Sequence, residues 1–277
     1  MFRDPGSMSS NGEVPTISPL NSSDRFNSTA EGYRTSEVHR SSPTLKRLHE
    51  LLPEVKSVCD VACGAGHTGL SFAEASQIVC VDPASNMLQQ ARQLAEERGV
   101  TVNTVECFAE CITLPSSTFD LVVSRLAAHH FKDVQGALRE MFRLAKPGGH
   151  VAVIDIEGDE DPEVDSFNHE IETLHDPTHV RSYTKAQWRE MFRATGLIEV
   201  ACEAGWREMP EGLTVSRWCE LARSGEDNLN AIRERMVSAP ATVLSALDIT
   251  RDPDGEFRIP IRTLLLIGRR PVMRTLD

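Results

Sequence analysis

At 277 residues with 40% hydrophobic side chains, the chain is long enough to bury a large core, as one domain or as one domain with a cap. A net charge of −12 excludes a general nucleic-acid or anionic-membrane binder, since both need a basic face to displace counterions, and leaves a small molecule as the expected partner. No apolar run approaches the roughly 18 residues that a bilayer span needs, so no membrane insertion is expected.

The first 23 residues, rich in Ser, Asn, Pro and Gly and carrying Asp4 and Glu13, suit neither a secretory signal nor a transit peptide and read as a disordered tail. Residues 24–54 read as an N-terminal helical cap of two short helices, the second opened by Ser42-Pro43. From residue 55 to the end, strand-like and helix-like runs alternate. "KSVCDVA" (strand), "TGLSFAEA" (helix), "QIVCVD" (strand), "SNMLQQARQLAEERG" (helix) and "VTVNTVEC" (strand) come first. "FDLVVSRL" (strand), "VQGALREMFRLAKPGG" (helix with a Pro-Gly-Gly stop), "HVAVIDIE" (strand), "TKAQWREMFRATG" (helix capped by Thr184) and "LIEVACEA" (strand) follow. Residues 205–256 look mostly helical, an insert before the last strand in "EFRIPIRTLLLIGRR". This alternation predicts an α/β fold, a parallel sheet covered on both faces.

The seven cysteines (Cys59, Cys63, Cys80, Cys107, Cys111, Cys202 and Cys219) are odd in number, several in apolar runs, and read as reduced thiols of a cytoplasmic protein. Cys59, Cys63 and His67 match no zinc spacing, and the acidic stretch "DIEGDEDPEVD" has no fixed ligand spacing for magnesium, so no metal is expected.

"GAGHTG", residues 64–69, is a literal G-x-G-x-x-G at the end of an apolar run, the spelling of a dinucleotide turn. Asp60, four residues before Gly64, argues against that ligand. A carboxylate beside a diphosphate sets like charges together, whereas it suits a ligand with a positive centre and no phosphate. S-adenosyl-L-methionine is such a ligand.

"VCDVACGAGHTG" resembles motif I of the class I S-adenosylmethionine-dependent methyltransferases, an acid followed by a glycine turn through Gly64 and Gly66. Ala62 stands where that family usually has glycine, and alanine fits if its backbone keeps a negative φ. Four further stretches resemble the family in order. "VCVDPASNML" implies that Asp82 grips the ribose hydroxyls, with Pro83 and Met87 beyond it. "FAECITLPSSTFDLVVS" implies that Ala109 and Glu110 lie against the adenine, with Phe108 in place of an acid. "ALREMFRLAKPGGHVAVID" resembles the family's helix, turn and fifth strand. The N-terminal helices resemble its cap pattern through Arg25, Tyr33, Ser36 and His39, which implies that Tyr33 closes over the cofactor and His39 faces the substrate. With "LAAHHF", the resemblance spans about residues 24–200 and is closest to the ubiquinone/menaquinone-biosynthesis-like branch. It implies a Rossmann-like seven-stranded sheet with an antiparallel last strand, S-adenosyl-L-methionine as cofactor and S-adenosyl-L-homocysteine as product.

Ligands of open α/β sheets bind beyond the carboxyl ends of the strands, so Ser124, Arg125, Ala128, His129 and His130, after the fourth strand, are expected to face the transferable methyl. His129, then His130, is the candidate general base, each with a wall-packing role as its alternative. Arg125 reads equally as an anion receptor or a structural ion pair. "ETLHDPTHVRSYTKAQW" resembles a segment of the same branch and supplies His175, His179 and Arg181 as candidate substrate contacts; Trp206, Trp218 and Met236 are candidate apolar lining or helical core.

The expected activity is methyl transfer to a small-molecule acceptor. An NAD-dependent oxidoreductase, and an adenosyl-binding protein that uses the sulfonium without methyl transfer, are the rivals. The oligomeric state, a homodimer included, is left open.

Overall fold

"SVCDV" is buried at every residue, which only a central strand covered on both faces achieves. In the computed structural model, which describes residues 22–35 and 37–272, this segment is β1 (Ser57–Val61). Around it β2 (Gln77–Asp82), β3 (Asn103–Glu106), β4 (Phe119–Arg125) and β5 (Ala145–Ile156) pair in parallel in the order β3-β2-β1-β4-β5. Beyond β6 (Ile198–Arg207), three short strands form a separate antiparallel sheet: β7 (Leu213–Thr214), β8 (Thr250–Arg251) and β9 (Phe257–Ile259). β10 (Arg262–Arg269) then enters between β5 and β6, antiparallel to both, and completes the expected seven-stranded sheet.

Helices cover both faces. α1 (Ser22–Thr35), α2 (Glu37–Arg40) and α3 (Pro43–Leu51) precede β1, and Ser42 caps α3 by accepting from the Leu45 N–H ahead of Pro43. Residues 1–21 of the expected tail lie outside the described residues, as do Ser36 and the side chains of Thr29, Tyr33, Thr35 and Glu37. α4 (Ser85–Arg98) ends at Gly99, whose φ of 66° suits glycine. α5 (Val134–Leu144) is followed by α6 (Pro162–His175) and α7 (Lys185–Thr195), the last opened by a reciprocal Thr184–Gln187 capping box. α8 (Val215–Ala222), α9 (Glu226–Ser238) and α10 (Ala241–Ala246) close over the small sheet in a second core centred on Trp218, Ile232 and Met236. Among the described residues no helix is long and apolar enough to cross a membrane.

Three local expectations are corrected. "TGLSFAEA" holds only a 3-10 turn at Gly69–Ser71, because the Asp60 carboxylate takes the Gly69 N–H and that glycine weakens any helix. Residues 205–256 contain β6's end and two strands of the small sheet, β7 and β8, as well as helices. The acidic stretch after β5 leads into α6, whose start is written as Asp161-Pro162: the Asp161 side chain accepts from the Glu163 and Val164 N–H groups.

Gly268 on β10 lies under α7, where an added Cβ would come within 2.9 Å of Leu197 Cβ and of Phe192 Cδ1. Gly268→Ala therefore overpacks the main core and should cost about 1–3 kcal/mol in a urea unfolding curve; unchanged stability would show that α7 can lift off the sheet.

Candidate active site

At the carboxyl end of the parallel strands, the chain leaves β1 through the glycine loop. Two positions there need the left-handed region: Gly64 (φ 52°) and Gly66 (φ 80°), the latter also pressed against Ala91. Ala62 is a third, at φ 53°, so the negative φ expected for it is not what the loop adopts. Asp82, at the end of β2, holds the loop from the side: Oδ2 accepts the Gly64 N–H at 2.8 Å and Oδ1 the Ala84 N–H at 2.9 Å. Burial pushes its pKa up to about 6 even with those two bonds. Each oxygen keeps a lone pair for a ligand hydroxyl.

These residues wall a cavity of about 400 Å³, within the size range of small-molecule sites. Ala62, Gly64, Asp82, Pro83, Met87, Ala109, Glu110 and Arg125 all line it, with Phe108 and the cap residues Phe26 and His39. Three expected cofactor contacts lie elsewhere. Asp60 is beneath the loop, its Oδ2 accepting the Gly69 N–H at 2.7 Å, and burial lifts its pKa to about 7. Gly66 faces the Ala91 and Cys80 side of the turn, and the Ser124 hydroxyl is buried without a hydrogen-bond partner. The side chain of Tyr33 lies outside the described residues.

Arg125 spends its guanidinium on the protein. Nε donates to Thr68 Oγ1 (2.9 Å), Nη2 to the His39 carbonyl (2.6 Å), and Nη1 to the Val38 carbonyl and Ser42 Oγ (3.3 and 3.4 Å). It ties the helical cap to the glycine loop.

A second cavity, of about 100 Å³, adjoins the first and shares Phe26, His39, Leu126 and His130 with it. His129, His175 and His179 line it, whereas Arg181 turns away toward Asp165 (4.0 Å) and is half exposed. His129 and His130 form one 3-10 turn after β4 and diverge in chemistry. Asp155, buried at the end of β5, accepts the His129 backbone N–H through Oδ2 (3.0 Å) and meets Nδ1 through Oδ1 (2.5 Å). Burial works against charge on His129, but Asp155 overrides it and holds the imidazole above its usual range. His130 instead places Nδ1 3.1 Å from the Thr178 carbonyl, and burial, reinforced by His129, pushes it down to about 4. Burial also pushes His175 down to about 3, His179 to about 2 and His39 well below the usual range. Trp218 stacks flat on His175 at 3.8 Å, while Met236 is core and Trp206 packs on the other face of the sheet.

A methyltransferase-domain family model matches residues 59–153. The chain is 36% identical over 177 residues to the uncharacterized methyltransferase YcgJ of Bacillus subtilis, over 62% of this chain and 70% of that protein. The crystal structure of YcgJ superposes with a TM-score of 0.74 at 28% identity, over 82% of this chain and 98% of that chain. The chain belongs to the class I S-adenosylmethionine-dependent methyltransferases. A second relative, the uncharacterized protein YafE of Escherichia coli, is 33% identical over 178 residues, 64% of this chain and 84% of that one. The ubiquinone/menaquinone biosynthesis C-methyltransferase UbiE of Serratia proteamaculans is 34% identical over 104 residues, 35% of this chain and 41% of its own length.

In this methyltransferase, sequence reasoning missed two buried acids of the second cavity's surroundings, Asp155 and Glu172. Asp155 ends an apolar strand as Asp60 and Asp82 do, and that shared position was the available signal. Glu172 lies inside α6 and opens the segment "ETLHDPTHVRSYTKAQW", where the neighbouring histidines and not the acid were singled out.

An alanine in the left-handed region costs about 1–2 kcal/mol, and glycine gives back part of that as unfolded-chain entropy. Ala62→Gly should thus stabilise the protein by about 0.5–1 kcal/mol, read from thermal or urea unfolding; destabilisation would mean that the Ala62 methyl contributes packing that the loop depends on.

Proposed function

We propose that the larger cavity holds S-adenosyl-L-methionine and that the smaller one receives a partly apolar small-molecule acceptor, which His129 deprotonates as the methyl is transferred. The observation that carries this is the sharing of Phe26, His39, Leu126 and His130 between the two cavities, with the His129–Asp155 pair in the second. S-adenosyl-L-methionine supplies an electrophilic methyl on a sulfonium, and S-adenosyl-L-homocysteine is left.

Asp82 would accept the ribose hydroxyls through its free lone pairs, and Ala109 with Phe108 would pack the adenine, Glu110 lying at its edge. The carboxylate at Asp82 suits a neutral sugar edge rather than a phosphate. His129 takes the role of base in preference to His130 because Asp155 fixes its Nδ1 as the donor, which leaves Nε2 to accept a proton. His130 and His179 would form neutral walls, and the buried cap would keep water from the transfer. Asp60 acts on the loop's shape and not on the ligand.

Calorimetric titration with S-adenosyl-L-methionine, S-adenosyl-L-homocysteine and NAD tests the cofactor half. Asp82→Ala should weaken both adenosyl ligands by about 1.5–3 kcal/mol per lost hydrogen bond; equal binding by wild type and variant removes Asp82 from the site, and preferential NAD binding removes the assignment.

The base must be neutral to act, so a pKa raised by Asp155 means that turnover climbs with pH along a limb centred above 6.5. Asp155→Asn leaves burial to dominate and should move that limb below 6.5, while His129→Asn should lower kcat by about 10²–10⁴-fold. An acidic limb that persists unshifted in both variants would assign it to another group.

A further inference from the structure

We propose that Glu172 is the recognition group of the smaller cavity and that the acceptor presents to it a small primary or secondary amine, an inference that rests on the two-cavity reading above. Glu172 lies on the inner face of α6, 7% exposed, and lines the cavity. Among the described residues its carboxylate makes no hydrogen bond and has no basic group within ion-pairing distance, whereas every other acid around it is engaged. Asp155 takes the His129 imidazole and backbone, and Asp176 pairs with Arg25 at 2.8 Å and accepts from Thr178. Neither carboxylate oxygen is fully sealed within the protein, so a ligand that supplies a donor can reach Glu172 and offset the cost of its desolvation. Burial pushes Glu172 up to about 7, so at neutral pH it stands between its two forms until a cation arrives.

A second observation points the same way. His179, 7% exposed, lines the same cavity with both ring nitrogens buried and unbonded, and His175 has its Nδ1 in the same condition. Burial holds these two imidazoles below their usual range, no lysine or arginine lines the cavity among the described residues, and His129, the one lining imidazole held above its range, is already paired with Asp155, so a carboxylate or phosphate on the acceptor would find no unpaired counter-charge there. An ammonium meets the opposite situation: one unpaired acid, neutral imidazole acceptors for its remaining N–H groups, and the Trp218 and Phe26 rings for its alkyl substituents. At about 100 Å³ the cavity is smaller than the roughly 150 Å³ that admits benzene, so it takes an amine head with a few carbons.

The proton count closes. The acceptor binds as R–NH3⁺ against Glu172 and gives one proton to His129. Its nitrogen lone pair then forms the N–CH3 bond as the C–S bond breaks and sulfur keeps the pair. The product leaves as R–NH2⁺–CH3, and His129 releases the proton to solvent.

Isobutylamine, isobutanol and isobutyrate share one carbon skeleton and serve as probes, titrated calorimetrically into wild type, Glu172→Gln and Glu172→Asp, with and without S-adenosyl-L-homocysteine. The amine should bind wild type at least tenfold more tightly than the alcohol or the acid. Glu172→Gln should abolish that preference while Glu172→Asp keeps part of it, and the melting temperature of Glu172→Gln should be no lower than that of wild type. Equal affinities for amine and alcohol, or an amine affinity unchanged in Glu172→Gln, would overturn the proposal, the first outcome pointing to a hydroxylated acceptor. Binding of the homocysteine compound is read in the same series, so failure of the cofactor reading is seen separately from failure of amine recognition.

Discussion

Burying a carboxylate at the end of a parallel strand is costly unless backbone amides come to it, and the mouth of this sheet is organised around three such acids. Asp60 ends β1 and draws in Gly69, Asp82 ends β2 and draws in Gly64 and Ala84, and Asp155 near the end of β5 draws in His129. Each carboxylate thus fixes a loop that leaves its own strand or the neighbouring one. The shape of both cavities follows from where those amides must sit, and the helices outside serve to keep the acids dry.

The second cavity shows how one environment separates similar groups. His129 and His130 are adjacent in sequence, yet one is held above its usual range and the other pushed far below it, because only His129 has a carboxylate against Nδ1. The crowd of imidazoles reinforces this, since a charge on His129 discourages charge on His130, His175 and His179. A cluster with many histidines therefore carries at most one cationic imidazole at neutral pH.

The sheet and the first cavity were legible in the sequence because their signals are local: apolar runs ending in an acid, a glycine turn, and Ala109-Glu110 at a set place between strands. The antiparallel placement of β10 came from family resemblance and could not be read from "TLLLIG" itself, since strand direction depends on the chain's path. The α6 start at Asp161-Pro162 was readable but hidden by the density of acids around it. Arg125 shows a different limit. Its position beside the cavity was legible, but its bonds to Val38, His39 and Ser42 join segments more than 80 residues apart and have no trace in the local pattern. Glu172 was invisible for the same reason: its isolation is a property of everything packed around it.

Phe26 and His39 belong to the walls of both cavities, and Arg125 clasps the carbonyl of His39. One body thus closes two compartments. A displacement of the helical cap would therefore open both cavities together, so access to one is geared to access to the other.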